Sequence, residues 1–201
     1  MQGAWSYLGI EPPATVLFYC RRMKTSRNFY LMYKNNPLNA MFVGTADMNR
    51  LREYDLSADN DKNTIPDLQI SLLKSVQTLY ARGCRRFICP IDEPFGLEAA
   101  NVVLMARETG GETYRDIVLQ AFSLTSEPHP ELGPTARFLF DDILHSKECT
   151  VHPHEEDLSR VLEEKLPQCA YLICSGEKEC APLRSLIKRA EAAGIEIIYL
   201  D

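Results

Sequence analysis

The stretch that decides the fold is residues 80–125, YARGCRRFICPIDEPFGLEAANVVLMARETGGETYRDIVLQAFSLT. Along this stretch we predict a helix end at Gly83, a strand at 87–89, a loop at 90–96 and a helix start at about Gly96. A helix stop at Gly110–Gly111 and a strand at 117–122 follow. An apolar strand, an alanine-rich helix and a second apolar strand in this order are typical of a βαβ unit. The sequence therefore predicts two neighbouring parallel strands joined by a crossover helix.

The same alternation extends in both directions from this unit. A short buried strand is predicted at 40–45 and a helix from Pro66. Further helices are predicted at 134–146, 155–165 and 178–194, and further strands at 149–151, 169–174 and 195–201. In the first of these helices we expect Phe138, Leu139 and Ile143 to face the core. About six strands that alternate with helices predict an α/β fold, a Rossmann-like, doubly wound and mostly parallel sheet.

Composition is that of an ordinary globular protein. The chain has 201 residues, of which 45% are hydrophobic and 25% charged, and its formal net charge is −6. This acidic balance argues against nucleic-acid binding. No apolar run approaches the roughly 20 residues that span a bilayer, and the first residues lack the basic and apolar regions of a signal peptide. We therefore expect a cytoplasmic protein without a membrane partner.

Cysteine usage supports a reducing compartment. Seven cysteines, an odd number without a CxxC pair, occur mainly in or beside apolar runs, at positions 20, 84, 89, 149, 169, 174 and 180. A zinc site would need Cys169, Cys174 and Cys180 with His152 or His154, but these spacings match no zinc pattern. Two histidines that flank a proline point to opposite sides, so we expect both at the surface. The sequence predicts no metal and no cofactor.

Two segments are expected, an amino-terminal extension at 1–38 and a Rossmann-like domain at 39–201. The extension has two β-prone runs separated by RRMKTSRN and carries five of the 22 basic residues. A solvated accessory hairpin is the favoured interpretation. A basic arm that touches a partner and a true start at Met41 are the alternatives.

Candidate ligand-binding residues follow the predicted strands. The carboxyl ends of parallel strands meet at one edge of a sheet, where open α/β sheets bind their ligands. This rule selects Gly44, Thr45, Asp47, Pro90, Asp92, Glu93, Phe95, Gly96, Ser123, Ser175 and Gly176. Simpler interpretations remain for some of them, since Thr45 could cap the next segment and Ser175–Gly176 could form only a turn. The acidic members could bind Mg²⁺, but solvated loop carboxylates are the favoured interpretation.

The loop at 90–96 admits two conformations. If it frames a pocket, Asp92 or Glu93 should point inward to a ligand. If it has lost its ligand, Ile91 and Phe95 should fill the space, because each would gain roughly 1.5 to 3 kcal/mol from burial. We favour a partly filled pocket.

The order of these motifs resembles the SLOG superfamily of Rossmann-like proteins, in its YpsA-like branch related to DprA and the Lonely Guy proteins. The resemblance covers about 40–201 and rests on Val43–Thr45, Arg82–Gly83, FGLEAANVV at 95–103, Ala121–Phe122 and the closing βαβ unit at 171–201. It implies a domain that binds a nucleotide-derived small molecule and forms homo-oligomers. The family's glycine-rich phosphate loop is replaced by CPIDEP at 89–94, in which two prolines lack N–H donors. We therefore expect an inherited fold with an altered ligand and little or no catalysis.

The resemblance also indicates one catalytic candidate. In the Lonely Guy relatives a carboxylate on the helix after the phosphate loop assists cleavage of an N-glycosidic bond, and Glu98 takes this place here. A shifted alignment puts Gly96 there instead, and a surface glutamate near a helix N-terminus would be favoured by the helix dipole alone. The alternatives to ligand binding are thus a phosphoribohydrolase-type enzyme and an interaction scaffold that has lost its ligand.

Overall fold

The computed structural model describes residues 38–44, 67–130, 132–152, 157–175 and 181–200. All of them belong to one compact unit, Leu38–Asp201. The predicted extension lies outside the described residues except for Leu38, so its hairpin stays a prediction.

Strands and helices alternate along the described part of the chain. The strands are β1 Leu38–Gly44, β2 Cys84–Pro90, β3 Val118–Ser123, β4 Cys149–Val151, β5 Tyr171–Ser175 and β6 Glu196–Leu200. The α-helices are α1 Asp67–Ala81, α2 Pro94–Thr109, α3 Pro134–Leu144, α4 Leu158–Lys165 and α5 Ala181–Ala192. Short 3-10 helices lie at Gly111–Thr113 and Leu166–Gln168. None of these described helices combines the length and the apolar character that crossing a membrane requires.

The six strands form one parallel sheet in the order β4-β3-β2-β1-β5-β6. The predicted α/β class and doubly wound, parallel architecture are confirmed. From β1 the chain builds the sheet outward to β4, then returns to place β5 on the other side of β1. The strand order thus reverses between β1 and β5, the position at which open α/β sheets form a ligand crevice.

Each face of the sheet carries its own apolar core. In β1, Ala40 and Phe42 belong to a core shared with α1, α2 and α3, whereas Met41 and Val43 belong to a core shared with α4 and α5. Alternate side chains of a strand point to opposite faces, so a strand covered on both faces is apolar throughout. This accounts for the continuous apolar run at the centre of β1.

Helix α2 begins at Pro94, two residues before the predicted start at Gly96. Proline suits the first helical position because its φ is already helical and its missing N–H would have no partner there. Pro90 is the last residue of β2. The predicted loop at 90–96 is therefore too long, since only residues 91–93 connect the two elements, and Phe95 and Gly96 lie in the first helical turn.

Helix α3 corrects one predicted core residue. Phe138 is 74% exposed, while Phe140 and Ile143 are each 1% exposed. Side chains two positions apart on a helix point about 200° away from each other around its axis. The face that buries Phe140 therefore turns Phe138 towards solvent. Leu139 lies between them and is half-buried.

The cysteines in the described residues are free thiols, as predicted. Cys84, Cys89, Cys169 and Cys174 are buried, and Cys149 is half-buried. Burial raises the pKa of the Cys174 thiol to about 12. Such thiols stay protonated at neutral pH and pack as small apolar side chains.

Candidate functional site

The ends of β1 and β5 meet at the carboxyl edge of the sheet. Gly44 and Ser175 are direct partners in the β1–β5 pairing. A Cβ atom placed on Gly44 would lie 2.5 Å from the carbonyl oxygen of Ser175 and 3.0 Å from Cδ1 of Phe95. A side chain at position 44 would therefore collide with the neighbouring strand, so this predicted ligand contact also has a packing role.

The start of α2 lies directly against the end of β2. A Cβ atom placed on Gly96 would lie 1.8 Å from the carbonyl oxygen of Pro90 and 2.8 Å from its carbonyl carbon. Only a residue without a side chain permits this approach. Gly96 thus allows the first turn of α2 to pack directly against the last residue of β2.

Ile91 and Phe95 fill the space between these elements. Their exposed fractions are 1% and 0%, and the ring of Phe95 lies 6.4 Å from that of Phe42, centroid to centroid. Burial of both side chains is the arrangement predicted for a loop whose space is filled, and it leaves the partly filled pocket a prediction. The apolar groups occupy the turn between β2 and α2.

Asp92 joins the end of β2 to the end of β3. Its Oδ1 lies 2.5 Å from the donating hydroxyl of Ser123, and its Oδ2 accepts a hydrogen bond of 2.8 Å from the backbone N–H of Leu124. The Ser123 hydroxyl, which is 0% exposed, also lies 2.6 Å from the carbonyl oxygen of Thr125 and accepts from the Thr125 N–H at 3.2 Å. We call Asp92, Ser123, Leu124 and Thr125 the Asp92 latch. Both carboxylate oxygens of Asp92 are engaged within the protein.

Glu93 is half-buried at the N-cap position of α2, where its side chain makes no capping hydrogen bond. Burial raises the pKa of its carboxyl, the charge of Asp92 raises it further, and His129 lowers it in part. Asp92 is also half-buried, so neither carboxylate is a freely solvated loop residue. Within the described ranges, no three His, Cys, Asp or Glu side chains are arranged to hold a metal ion.

Glu98 is the fifth residue of α2 and lines a small cavity between α2 and α3. It is 6% exposed, so the interpretation as a surface glutamate is wrong. Its Oε1 accepts hydrogen bonds from the amides of Gln69 on α1, at 2.6 Å, and Asn101, at 3.3 Å. Burial raises the pKa of the Glu98 carboxyl, and the two amides lower it in part.

Gln69 and Asn101 were missed by the sequence analysis, and so was the burial of Glu98. One signal was present, because residues 94–106 are apolar or small on nearly every side of α2. A helix with so few polar residues is buried over most of its surface. A carboxylate within such a helix requires polar partners, which here come from another helix and the next turn.

His152 follows β4 and is half-buried, so its predicted surface placement is wrong. Its backbone N–H donates to the carbonyl oxygen of Ser123 at 2.8 Å, and its ring meets Phe122 edge-on at 6.1 Å between centroids. Its Nε2 is buried and has no hydrogen-bond partner among the described residues. His152 is held against the sheet because this backbone hydrogen bond continues the pairing of β4 with β3 one residue beyond Val151.

The predicted site residues thus fall into three groups. The structure brings together, at the carboxyl edge of the sheet, Gly44, Pro90, Asp92, Glu93, Phe95, Gly96, Ser123 and Ser175. Glu98, further along α2, contacts Gln69 of α1 instead. Thr45, Asp47, Gly176 and His154 lie outside the described residues.

Replacing Asp92 with alanine is expected to lower the free energy of unfolding by about 2 kcal/mol, because the N–H of the half-buried Leu124 loses its acceptor and the buried Ser123 hydroxyl loses one of its two. Asp92→Asn keeps one carbonyl oxygen and should lose less. Urea denaturation with a common slope measures both. Glu127→Ala, an exposed change after the same strand, is the control and should stay within about 0.5 kcal/mol of the parent. An Asp92→Ala protein as stable as this control would contradict the latch.

Comparisons with known proteins do not assign a family. No family model matches the chain, and no curated protein matches it.

Proposed function

We propose that this chain is a SLOG-like, Rossmann-type domain that binds a nucleotide-derived small molecule at the carboxyl ends of β1 and β5 and performs little or no chemistry on it. The observation that supports this proposal most is the reversal of strand order between β1 and β5. At such a reversal the connections leave neighbouring strands in opposite directions and a crevice opens between them. Ser175, at the end of β5, is only half-buried.

The β2–α2 connection supports the non-catalytic part of the proposal. A phosphate at a helix N-terminus needs free backbone N–H groups that it can approach. Here Pro94 supplies none, the Ile91 N–H donates to the carbonyl of Phe122, and the Leu97 N–H donates to the carbonyl of Glu93. The β2–α2 connection therefore has fewer free N–H donors than a glycine-rich phosphate loop.

A phosphoribohydrolase is the weaker candidate. Its carboxylate would be Glu98, which lines a cavity of about 100 Å³, whereas ligand pockets usually measure ~300 to 1,000 Å³. Base release from AMP, followed by chromatography, tests this alternative, and release that depends on Glu98 would establish it.

The remaining parts of the proposal concern setting and assembly. We propose a cytoplasmic location, supported by the free, buried thiols. We also propose a homo-oligomer, the usual state of such domains, which light scattering at high concentration tests directly.

Ligand binding is tested by thermal-shift screening of the full chain with nucleotides, nucleoside monophosphates and ADP-ribose-like compounds. A compound at about 100 times its Kd stabilises the folded state by about 2.7 kcal/mol. We expect at least one compound to raise the Tm at millimolar concentration, and Ser175→Tyr to abolish that shift because the added ring occupies the crevice.

The matched control is Ser126→Tyr, which makes the same change at an exposed residue after β3. It should respond to the compound as the parent does. The proposal is overturned if no compound stabilises the protein, or if Ser175→Tyr binds as tightly as Ser126→Tyr.

A further inference from the structure

The cavity between α2 and α3 contains a buried carboxylate with an unused oxygen. Glu98 Oε1 accepts from both Gln69 and Asn101, while Oε2 has no hydrogen-bond partner among the described residues and is not one of their fully buried unpartnered atoms. No described lysine, arginine or histidine makes an ion pair with this carboxylate. A buried carboxylate without a cation costs free energy, so a group that neutralises it would bind favourably.

Two further polar residues, Asn101 and Thr135, line the same cavity. The amide nitrogen of Asn101 donates to Glu98, so its carbonyl oxygen is not used in that bond, and the Thr135 side chain carries a hydroxyl. Carboxylate, amide carbonyl and hydroxyl together provide three acceptors. A primary ammonium group has three N–H donors and no acceptor, so its hydrogen-bonding capacity matches this set.

The rest of the cavity is apolar. Its other lining residues are Pro94, Leu97, Ala136 and Leu139. The cavity volume of about 100 Å³ is larger than a single water molecule requires, but it limits an occupant to a few heavy atoms. Thr135 is exposed and Ala136 half-buried, so the cavity is reached from the start of α3.

We propose that this cavity binds a primary alkylammonium group, with the nitrogen held by Glu98, Asn101 and Thr135 and a short alkyl chain against Leu97 and Leu139. This site is separate from the β1–β5 crevice and does not depend on the proposed function. Charge-assisted hydrogen bonds to Glu98 supply affinity, and the apolar walls select short chains over larger cations.

The test is an NMR titration of the full chain with methyl-, ethyl-, propyl- and butylammonium chloride, at a slightly alkaline pH and constant ionic strength. We expect the side-chain amide signals of Gln69 and Asn101 to shift on binding. Affinity should rise by up to about fourfold for each added methylene until the cavity is full. Tetramethylammonium, which has no N–H donor, and 1-propanol, which has no charge, should not bind.

Matched variants locate the site. Glu98→Gln keeps an oxygen acceptor for both amides but removes the charge, so affinity should fall about tenfold or more. Glu108→Gln makes the same change at an exposed position of α2 and should leave affinity unchanged. Thr135→Val removes one acceptor at an exposed position, which tests the site even if the Glu98 variant does not fold.

A lysine derivative with both backbone ends blocked distinguishes the two possible sources of the ammonium group, a lysine side chain and a free small amine. Tighter binding of N-acetyl-lysine methylamide than of butylammonium indicates a lysine side chain, and the reverse indicates a free small amine; either result supports the site. The proposal is overturned if no alkylammonium shifts the Gln69 and Asn101 signals, if tetramethylammonium binds equally well, or if Thr135→Val and Glu98→Gln leave the affinity unchanged.

Discussion

Replacing Gly96 with alanine is expected to lower the free energy of unfolding by about 3 kcal/mol or more, at the upper end of the range for overpacking. The new methyl group would lie 1.8 Å from the carbonyl oxygen of Pro90, far inside van der Waals contact. The obstacle is backbone at the end of a central strand, so it cannot rotate away. Helix α2 would have to move off the sheet and lift the Phe95 side chain from its site.

Gly133→Ala is the matched control for this change. Gly133 precedes α3 with φ −68°, which any residue can adopt, and a Cβ atom there has nothing within 4 Å. The control should stay within about 1 kcal/mol of the parent. Equal unfolding midpoints in urea for the two alanine variants would show that α2 does not approach β2 as closely as described.

Replacing Phe95 with alanine is expected to lower the free energy of unfolding by about 3 to 5 kcal/mol, the range for deleting a buried aromatic ring. Phe95 is 0% exposed and contacts the ring of Phe42 and the position of Gly44. These neighbours belong to central strands and cannot collapse into the space. The variant should therefore retain a cavity at the carboxyl edge of the sheet.

Phe138→Ala is its control, because it makes the same change on a helix where the ring is 74% exposed. Its free energy of unfolding should differ from that of the parent by no more than about 0.5 kcal/mol. Chemical denaturation with an unchanged slope compares the two. A loss at position 95 no larger than at position 138 would mean that Phe95 does not fill the edge of the sheet.

The outline of the fold is encoded locally. Strands and helices have different hydrophobic periods, so each described strand and α-helix could be predicted from its own residues, whereas the two short 3-10 helices were not predicted. The stops at Gly83 and Gly194 belong to the same local code, because both residues have positive φ, which glycine adopts without strain. The ends of the elements were predicted less accurately than the elements themselves. Helix α2 starts at Pro94, two residues before the predicted start, because proline suits the first helical position.

Burial of single side chains required the packed structure. The pattern at 134–146 contains enough apolar residues for more than one face, and the rotation of α3 against the sheet decided that Phe140 is buried and Phe138 exposed. Likewise, a glutamate near a helix start is as compatible with solvent as with a cavity. The position of α1 and α3 around α2 buried Glu98.

The sequence by itself determined that this chain forms a parallel α/β sheet and that its polar turn residues gather at one edge, since both follow from local periodicity and the common direction of the strands. Only the tertiary structure decided what those residues contact. Asp92 meets Ser123 and Leu124 across more than 30 positions of sequence, and Glu98 meets Gln69 across 29. Such pairings depend on how whole elements pack, and no local pattern carries that information.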